Sequence, residues 1–172
     1  MHVSTLCYLK KDGRTLMLHR IKKQNDVHEG KYNGLGGKFL PGETPEECVS
    51  REVMEESGLI ISKPQLHGVM MFPAFKDNED WLVFLFTANE FSGALSECSE
   101  GRLEWIEDNK LLSLNLWEGD KLFLKWIEDN KFFSAKFVYK NKQLVDHRVT
   151  FYHKDDEIPA ASWLAEAQWD RS

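Results

Sequence analysis

Six glutamates crowd the stretch GETPEECVSREVMEESG, Gly42 to Gly58: Glu43, Glu46, Glu47, Glu52, Glu55 and Glu56, with Arg51 the one cation among them. On a helix, Glu52, Glu55 and Glu56 are related by i, i+3 and i+4, so their carboxylates emerge side by side. Two charges about 6 Å apart at an effective dielectric near 20 repel by roughly 3 kcal/mol, so such a group needs compensation. Arg51 supplies part of it. A solvated acidic helix face is one reading of the remainder. A small divalent cation that prefers hard oxygen ligands, Mg2+ or Mn2+, is the chemical one.

A helix must hold these groups, and the sequence provides its ends. Thr44 is the expected N-cap, with Pro45 in the first turn and Glu47 completing a capping box, and Gly58 is the stop signal. Cys48, Val49, Val53 and Met54 form the expected buried stripe, with the glutamates on other faces. Upstream, HVSTLCYLKKDGRTLMLHR alternates apolar and polar residues around a Lys11-Asp12-Gly13 turn and reads as a β-hairpin. A polar loop, IKKQNDVHEGK, leads to YNGLGGKF, whose three glycines allow close backbone approach.

Downstream, QLHGVMMFPAF, WLVFLFTANEF and GRLEWIE read as strands, the second apolar enough to be central. WEGDKLFLKWIEDN reads as a helix, and FFSAKFVYKNKQLVDHRVTFY as a hairpin turning at Asn141-Lys142. The order predicts one α+β domain, an α/β/α sandwich with a mixed sheet, over residues 1–152. Residues 153–172 form an extension in which AASWLAEAQW is expected to make a short amphipathic helix packed on the same domain. The near-repeat of LEWIEDNK (Leu103 to Lys110) as LKWIEDNK (Leu124 to Lys131) has no matching surroundings and is read as coincidence.

Composition limits the partners. A chain of 172 residues with 42% hydrophobic and 12% aromatic content can bury a core. With 22 basic against 28 acidic residues it carries no broad positive field for a nucleic acid polymer or an anionic membrane. Cys7, Cys48 and Cys98 lack zinc spacing and read as reduced thiols. His19, His28, His67, His147 and His153 show no metal spacing and receive no chemical role. No leader pattern and no long apolar run is present, so the cytoplasm is the expected compartment.

The wider spacing is specific. Gly37, five residues, Glu43, seven residues, then Arg51-Glu52-Val53-Met54-Glu55-Glu56-Ser57-Gly58-Leu59 resembles the Nudix box, GX5EX7REUXEEXGU, at every fixed position. The resemblance implies a Nudix fold with its loop-helix-loop, phosphoanhydride hydrolysis and a divalent cation, Mg2+ with Mn2+ as a second choice. It implies metal ligation by Glu52, Glu55 and Glu56, with Glu56 also the candidate for activating water, and by the Gly36 carbonyl. Glu100 matches a further carboxylate near the metal, either ligand or general base. Arg51 and Glu43 are expected to orient the loop and helix by pairing, and Lys22 and Lys23 to hold the outer phosphates.

The segments YNGLGGK, EGRLEW, LWEGD and FFSAKFVY are similar to the MutT-type oxidised-purine nucleoside triphosphatases, the 8-oxo-dGTP diphosphatase group. That likeness implies that Asn33 hydrogen-bonds a purine, Trp117 stacks on it and Asp120 reads its edge; Phe72 and Trp81 are candidate walls of the pocket, with packing in the core as the other reading. Gly119 departs from the pattern, standing where mammalian-type members carry a second acid, and Glu118 is the nearest replacement. The expected reaction is cleavage of a purine nucleoside triphosphate such as 8-oxo-dGTP to monophosphate and pyrophosphate, sanitising the nucleotide pool, by a monomer or homodimer. The alternatives are a pyrophosphatase acting on ADP-ribose or a dinucleotide, a branch to which Pro73 points weakly, and a Nudix module that binds nucleotide without chemistry.

Overall fold

The computed structural model describes residues 1–153; the tail helix expected from AASWLAEAQW lies outside them. The elements run β1 (His2–Lys11), β2 (Arg14–His19), β3 (Tyr32–Asn33), α1 (Pro45–Ser57), β4 (Ile60–Ser62), β5 (Gln65–Lys76), β6 (Glu79–Ala88), β7 (Glu90–Ser92) and β8 (Arg102–Glu107). A 3-10 segment (Asp108–Ser113), α2 (Glu118–Glu128), β9 (Phe132–Lys140) and β10 (Gln143–Tyr152) complete the order. The main sheet is mixed, β10-β9-β5-β6-β1-β2-β3, with β8 paired to β2. β6, the most apolar strand of the sequence, sits inside it between β5 and β1.

Alternation along the strands builds two cores, because successive side chains leave opposite faces of a sheet. Cys7, Leu9, Leu16, Leu18 and Phe86 pack on one side with Val49 and Val53 of α1. Tyr8, Met17 and Leu85, each adjacent in sequence to one of those, pack on the other with Phe123, Leu124 and Ile127 of α2. A sheet covered on both faces needs strands that are apolar on both faces. The result is the α+β sandwich expected.

Three local expectations change. Met54 is 47% exposed, and the fourth buried position of α1 is Ser57, whose hydroxyl donates to the Val53 carbonyl at 2.6 Å. The segment WLVFLFTANEF is not one strand: it breaks at Asn89, and β7 leaves to pair with β4 in a separate two-stranded sheet. The first hairpin pairs only beside its turn, at Lys10–Thr15 and Lys11–Arg14, after which β1 runs parallel to β6 while β2 turns to β8 and β3. The glycine segment lies along the free part of β1, bridged at Ser4–Lys38 and Cys7–Leu35. A Cβ at Gly34 would meet the Cys7 carbonyl oxygen at 2.6 Å, which is why this run lacks side chains. Among the described residues no helix is long and apolar enough to cross a membrane.

Candidate active site

The carboxylate end is built from the ends of α1 and the loop before it. Thr44 Oγ1 accepts the Glu47 N–H at 3.2 Å while Glu47 accepts the Thr44 N–H at 2.8 Å, and Gly58, at φ 76°, donates to the Met54 carbonyl at 2.8 Å. Both helix ends are thereby fixed. Arg51 ties the loop to the helix: it donates to Glu43 through Nε (2.6 Å) and Nη2 (2.9 Å), to the Lys38 carbonyl (3.0 Å), and through Nη1 to Glu52 (2.7 Å) and Glu55 (3.3 Å). Arg51 beside it, and then the Leu40 N–H, hold the Glu43 carboxyl down at about 2.

Glu56 lies deeper, accepting the Gly36 N–H at 2.8 Å. Burial pushes its carboxyl up to about 8, with Glu100 and Glu52 adding to the rise and the Gly36 N–H opposing it. Glu52 packs so closely on Gly37 that a Cβ there would strike its carboxylate. Glu100 is held by Arg20 Nη1 at 2.5 Å, and Arg20 also donates through Nε to Asp26 at 2.7 Å. Lys23 is exposed and 3.8 Å from Glu100, whereas Lys22 donates to the Cys98 carbonyl at 3.0 Å and does not line the cavity. Of the two lysines, the structure leaves Lys23 in place to meet a ligand.

Among the described residues no cluster is already set at metal-ligand geometry; Arg51 and Arg20 supply the counter-charge instead. The donor chemistry still fits a hard divalent cation. Four carboxylates, Glu52, Glu55, Glu56 and Glu100, face one cavity with oxygen donors only, and one of them, Glu56, is raised first by burial and then by the charge of Glu100 and Glu52.

A cavity of about 580 Å³ extends from these carboxylates to an aromatic end. Its lining takes in the expected carboxylates, Gly36, Lys23 and the expected base-slot residues, while Lys22 lies outside it and Arg51 and Glu43 stand behind it as a tie. Trp117 donates its indole N–H to His28 Nδ1 at 2.9 Å, and Lys31 Nζ lies 5.1 Å from the centre of its ring. Asp120 is buried, with no side-chain hydrogen-bond partner among the described residues. Burial pushes its carboxyl up to about 8, against a small opposing pull from Lys31. Asn33, on the two-residue β3, lines the same end. Phe72 stacks on Phe137 with ring centres 5.4 Å apart. Trp81 lines the cavity but stands apart from this cluster, beneath Lys38 (5.0 Å) and beside His2 (4.8 Å).

Residues of this end that escaped the sequence reading include His28, Phe75 and Tyr139. His28, given no role there, orients Trp117. Phe75 faces the cavity because the register of β5 against β6 shifts between Phe72 and Lys76, with Ala74 at φ 47° and its N–H donated to Asp80 at 2.9 Å. In a regular strand residues 72 and 75 point to opposite faces; the bulge turns both inward, placing the Phe75 ring 5.6 Å from Phe72 and 5.2 Å from Trp117. Pro73 inside a strand was the available signal. Glu118, the expected replacement for an acid at Gly119, turns outward to accept the Leu144 N–H at 3.1 Å.

A family model described as NUDIX domain matches residues 1–127. An oxidized purine nucleoside triphosphate hydrolase of Danio rerio is 31% identical over 154 residues, spanning 90% of this chain and 94% of that protein. An ADP-ribose pyrophosphatase of Methanocaldococcus jannaschii is 31% identical over 107 residues, 62% of either chain. The crystal structure of a mutator MutT protein from Bacillus halodurans superposes with a TM-score of 0.76 at 28% identity, covering 87% of this chain and 97% of that one.

Proposed function

The chain belongs to the NUDIX domain family and is a Nudix hydrolase of the MutT type, and from that premise we propose that it cleaves a purine nucleoside triphosphate, 8-oxo-dGTP in particular, to the monophosphate and pyrophosphate. The observation that carries this reading is a single cavity with a carboxylate cluster at one end and an aromatic slot, with Asn33 and Asp120, at the other. Such an enzyme would clear damaged precursors from the cytoplasmic nucleotide pool. The groups named all lie within residues 1–152, the catalytic domain of this proposal, with 153–172 as an extension.

Glu52, Glu55, Glu56, Glu100 and the Gly36 carbonyl would hold a divalent cation, Mg2+ or Mn2+, which when bound acidifies water and neutralises charge on phosphoryl oxygens. The chain's own residues do the positioning. Arg51 fixes the loop against α1 so that Glu52 and Glu55 stay at the mouth. Glu56, steadied by the Gly36 N–H, is the carboxylate placed to orient the attacking water. Lys23, exposed and only loosely paired, can swing to the outer phosphates. At the far end Trp117 offers a stacking face worth about 1–3 kcal/mol by analogy with other base–aromatic contacts. The Asn33 amide presents both donor and acceptor to the base edge.

The test is hydrolysis of 8-oxo-dGTP, dGTP, ADP-ribose and a diadenosine polyphosphate at equal concentration, with Mg2+, with Mn2+ and with chelator. Preference for 8-oxo-dGTP with pyrophosphate released, lost on chelation, is the expected result. Preference for the linked diphosphates overturns the substrate assignment and leaves the family standing.

A further inference from the structure

Gly119 has no room for a side chain. A Cβ built there would lie 2.8 Å from the Tyr139 hydroxyl oxygen and 3.0 Å from Phe137 Cδ1. The space beside Asp120 is instead filled from across the fold, by a phenol carried on β9.

The Tyr139 oxygen accepts the Gly119 N–H at 2.8 Å. That N–H belongs to the first turn of α2, where backbone donors have no partner inside the helix and Trp117, at the N-cap, makes no side-chain cap. A donor at the positive end of a helix thus occupies the phenol oxygen and polarises its O–H. The phenol proton has no acceptor among the described residues, while Tyr139 lines the cavity with Asn33, Trp117 and Asp120. Burial raises the phenol above its ordinary pKa, with the Gly119 N–H opposing, so the group keeps its proton across the physiological range. Its ring is held by Trp117 (5.3 Å) and Phe75 (5.5 Å), so the hydroxyl is a fixed donor rather than a swinging one.

Building on the purine nucleoside triphosphate reading, we infer that Tyr139 is a specificity-determining residue of the base slot, donating its phenol proton to a keto oxygen on the purine edge so that 6-oxopurines are preferred over 6-aminopurines. An exocyclic amine in that place presents hydrogens to a donor. The phenol proton is then left unpaired out of water, which is the situation that discriminates most strongly between ligands.

The test measures kcat and KM for dGTP and 2-amino-dATP, which differ only at position 6 and the N1 proton, and for their 8-oxo counterparts, in wild type and Tyr139→Phe. Wild type is expected to favour the keto member of each pair by about tenfold or more in kcat/KM. Tyr139→Phe is expected to bring the ratio close to one by raising KM for the keto member. A phenol that only caps α2 would lower the melting temperature and slow both members alike; that result, an unchanged ratio, or a wild type without preference overturns the inference. Wild type that cuts none of the four but does cut ADP-ribose removes the substrate reading, and this inference with it. Should Tyr139→Phe fail to fold, Gly119→Ala presses on the same hydroxyl from the helix side and is expected to reduce the same ratio, an unchanged ratio again overturning the inference.

Discussion

Trp117 and His28 are joined by one hydrogen bond, indole N–H to imidazole Nδ1 at 2.9 Å. An indole can only donate, so Nδ1 must be the accepting nitrogen and the proton of the neutral ring sits on Nε2. Burial first, then Arg20 and Lys76, pushes His28 down to about 4, which keeps it able to accept at neutral pH. His28→Ala is therefore expected to free the Trp117 ring, raising KM roughly three- to tenfold with a smaller effect on kcat. Steady-state kinetics and the Trp117 contribution to fluorescence quenching by nucleotide check this. Because the folded-state value lies below the unfolded one, His28 costs stability as pH falls from 6.5 to about 4 and costs none above that window.

Asp120 works in the opposite sense. Its carboxyl is raised from 3.8 to about 8 by burial, so the native state holds a proton that the unfolded chain has released. The stability it contributes is complete below 3.8 and is lost as pH rises through about 8. Asp120→Asn stays neutral throughout. In denaturant unfolding it is expected to gain on wild type as pH rises from about 4 to about 8 and to hold a constant lead above that, and the KM of wild type for the purine triphosphate should climb as pH passes about 8 while that of the variant stays level.

Removing Arg51 leaves Glu43, Glu52 and Glu55 without their shared partner. Arg51→Ala is expected to lower the melting temperature by several degrees in chelator, with Mg2+ or Mn2+ restoring part of the loss. A fall that the cations do not touch would mean that the tie serves only to pack the loop. Arg51→Lys should behave nearly as badly, because a lysine cannot meet Glu43 through two parallel bonds.

Glu56→Gln keeps the shape of the side chain and its acceptance of the Gly36 N–H. Turnover is expected to fall on the order of a hundredfold or more with nucleotide affinity largely kept, as read by pyrophosphate release and calorimetric titration. If wild type also binds nucleotide and releases no product, the chain is a binding module and the hydrolytic proposal is wrong.

Features set by neighbours in sequence are legible in the sequence alone. The Asp12-Gly13 turn, the Thr44–Glu47 capping box and the Gly58 stop each depend on a few adjacent residues, and each stands where expected. What distant parts of the chain decide was not legible. Met54 satisfies a helical apolar stripe but faces solvent, because Ser57 closes the buried side by bonding back to Val53. Phe75 reaches the cavity through a bulge, and His28 through a loop anchored by Arg20 and Asp26. The clearest case is WIEDNK. At Trp105–Glu107 its first three residues are in β8, held by β2; at Trp126–Glu128 the same three end α2, packed on β9 and β10. Local propensity was identical and tertiary surroundings decided.

The parting of β1 from β2 bears on how the molecule comes together in time. Beyond the hairpin turn, β1 finds its partner in β6, so His2 pairs with Trp81 and Leu9 with Ala88, about eighty residues further along. The glycine segment that frames the carboxylates lies along β1 and the slot's phenol is carried on β9, so neither end of the cavity has a local precursor. Chain closure on that scale is slow, and until it is made the chain has no place for a nucleotide. A ligand therefore recognises only the finished product of folding, and its binding acts by slowing escape from the native state rather than by speeding arrival.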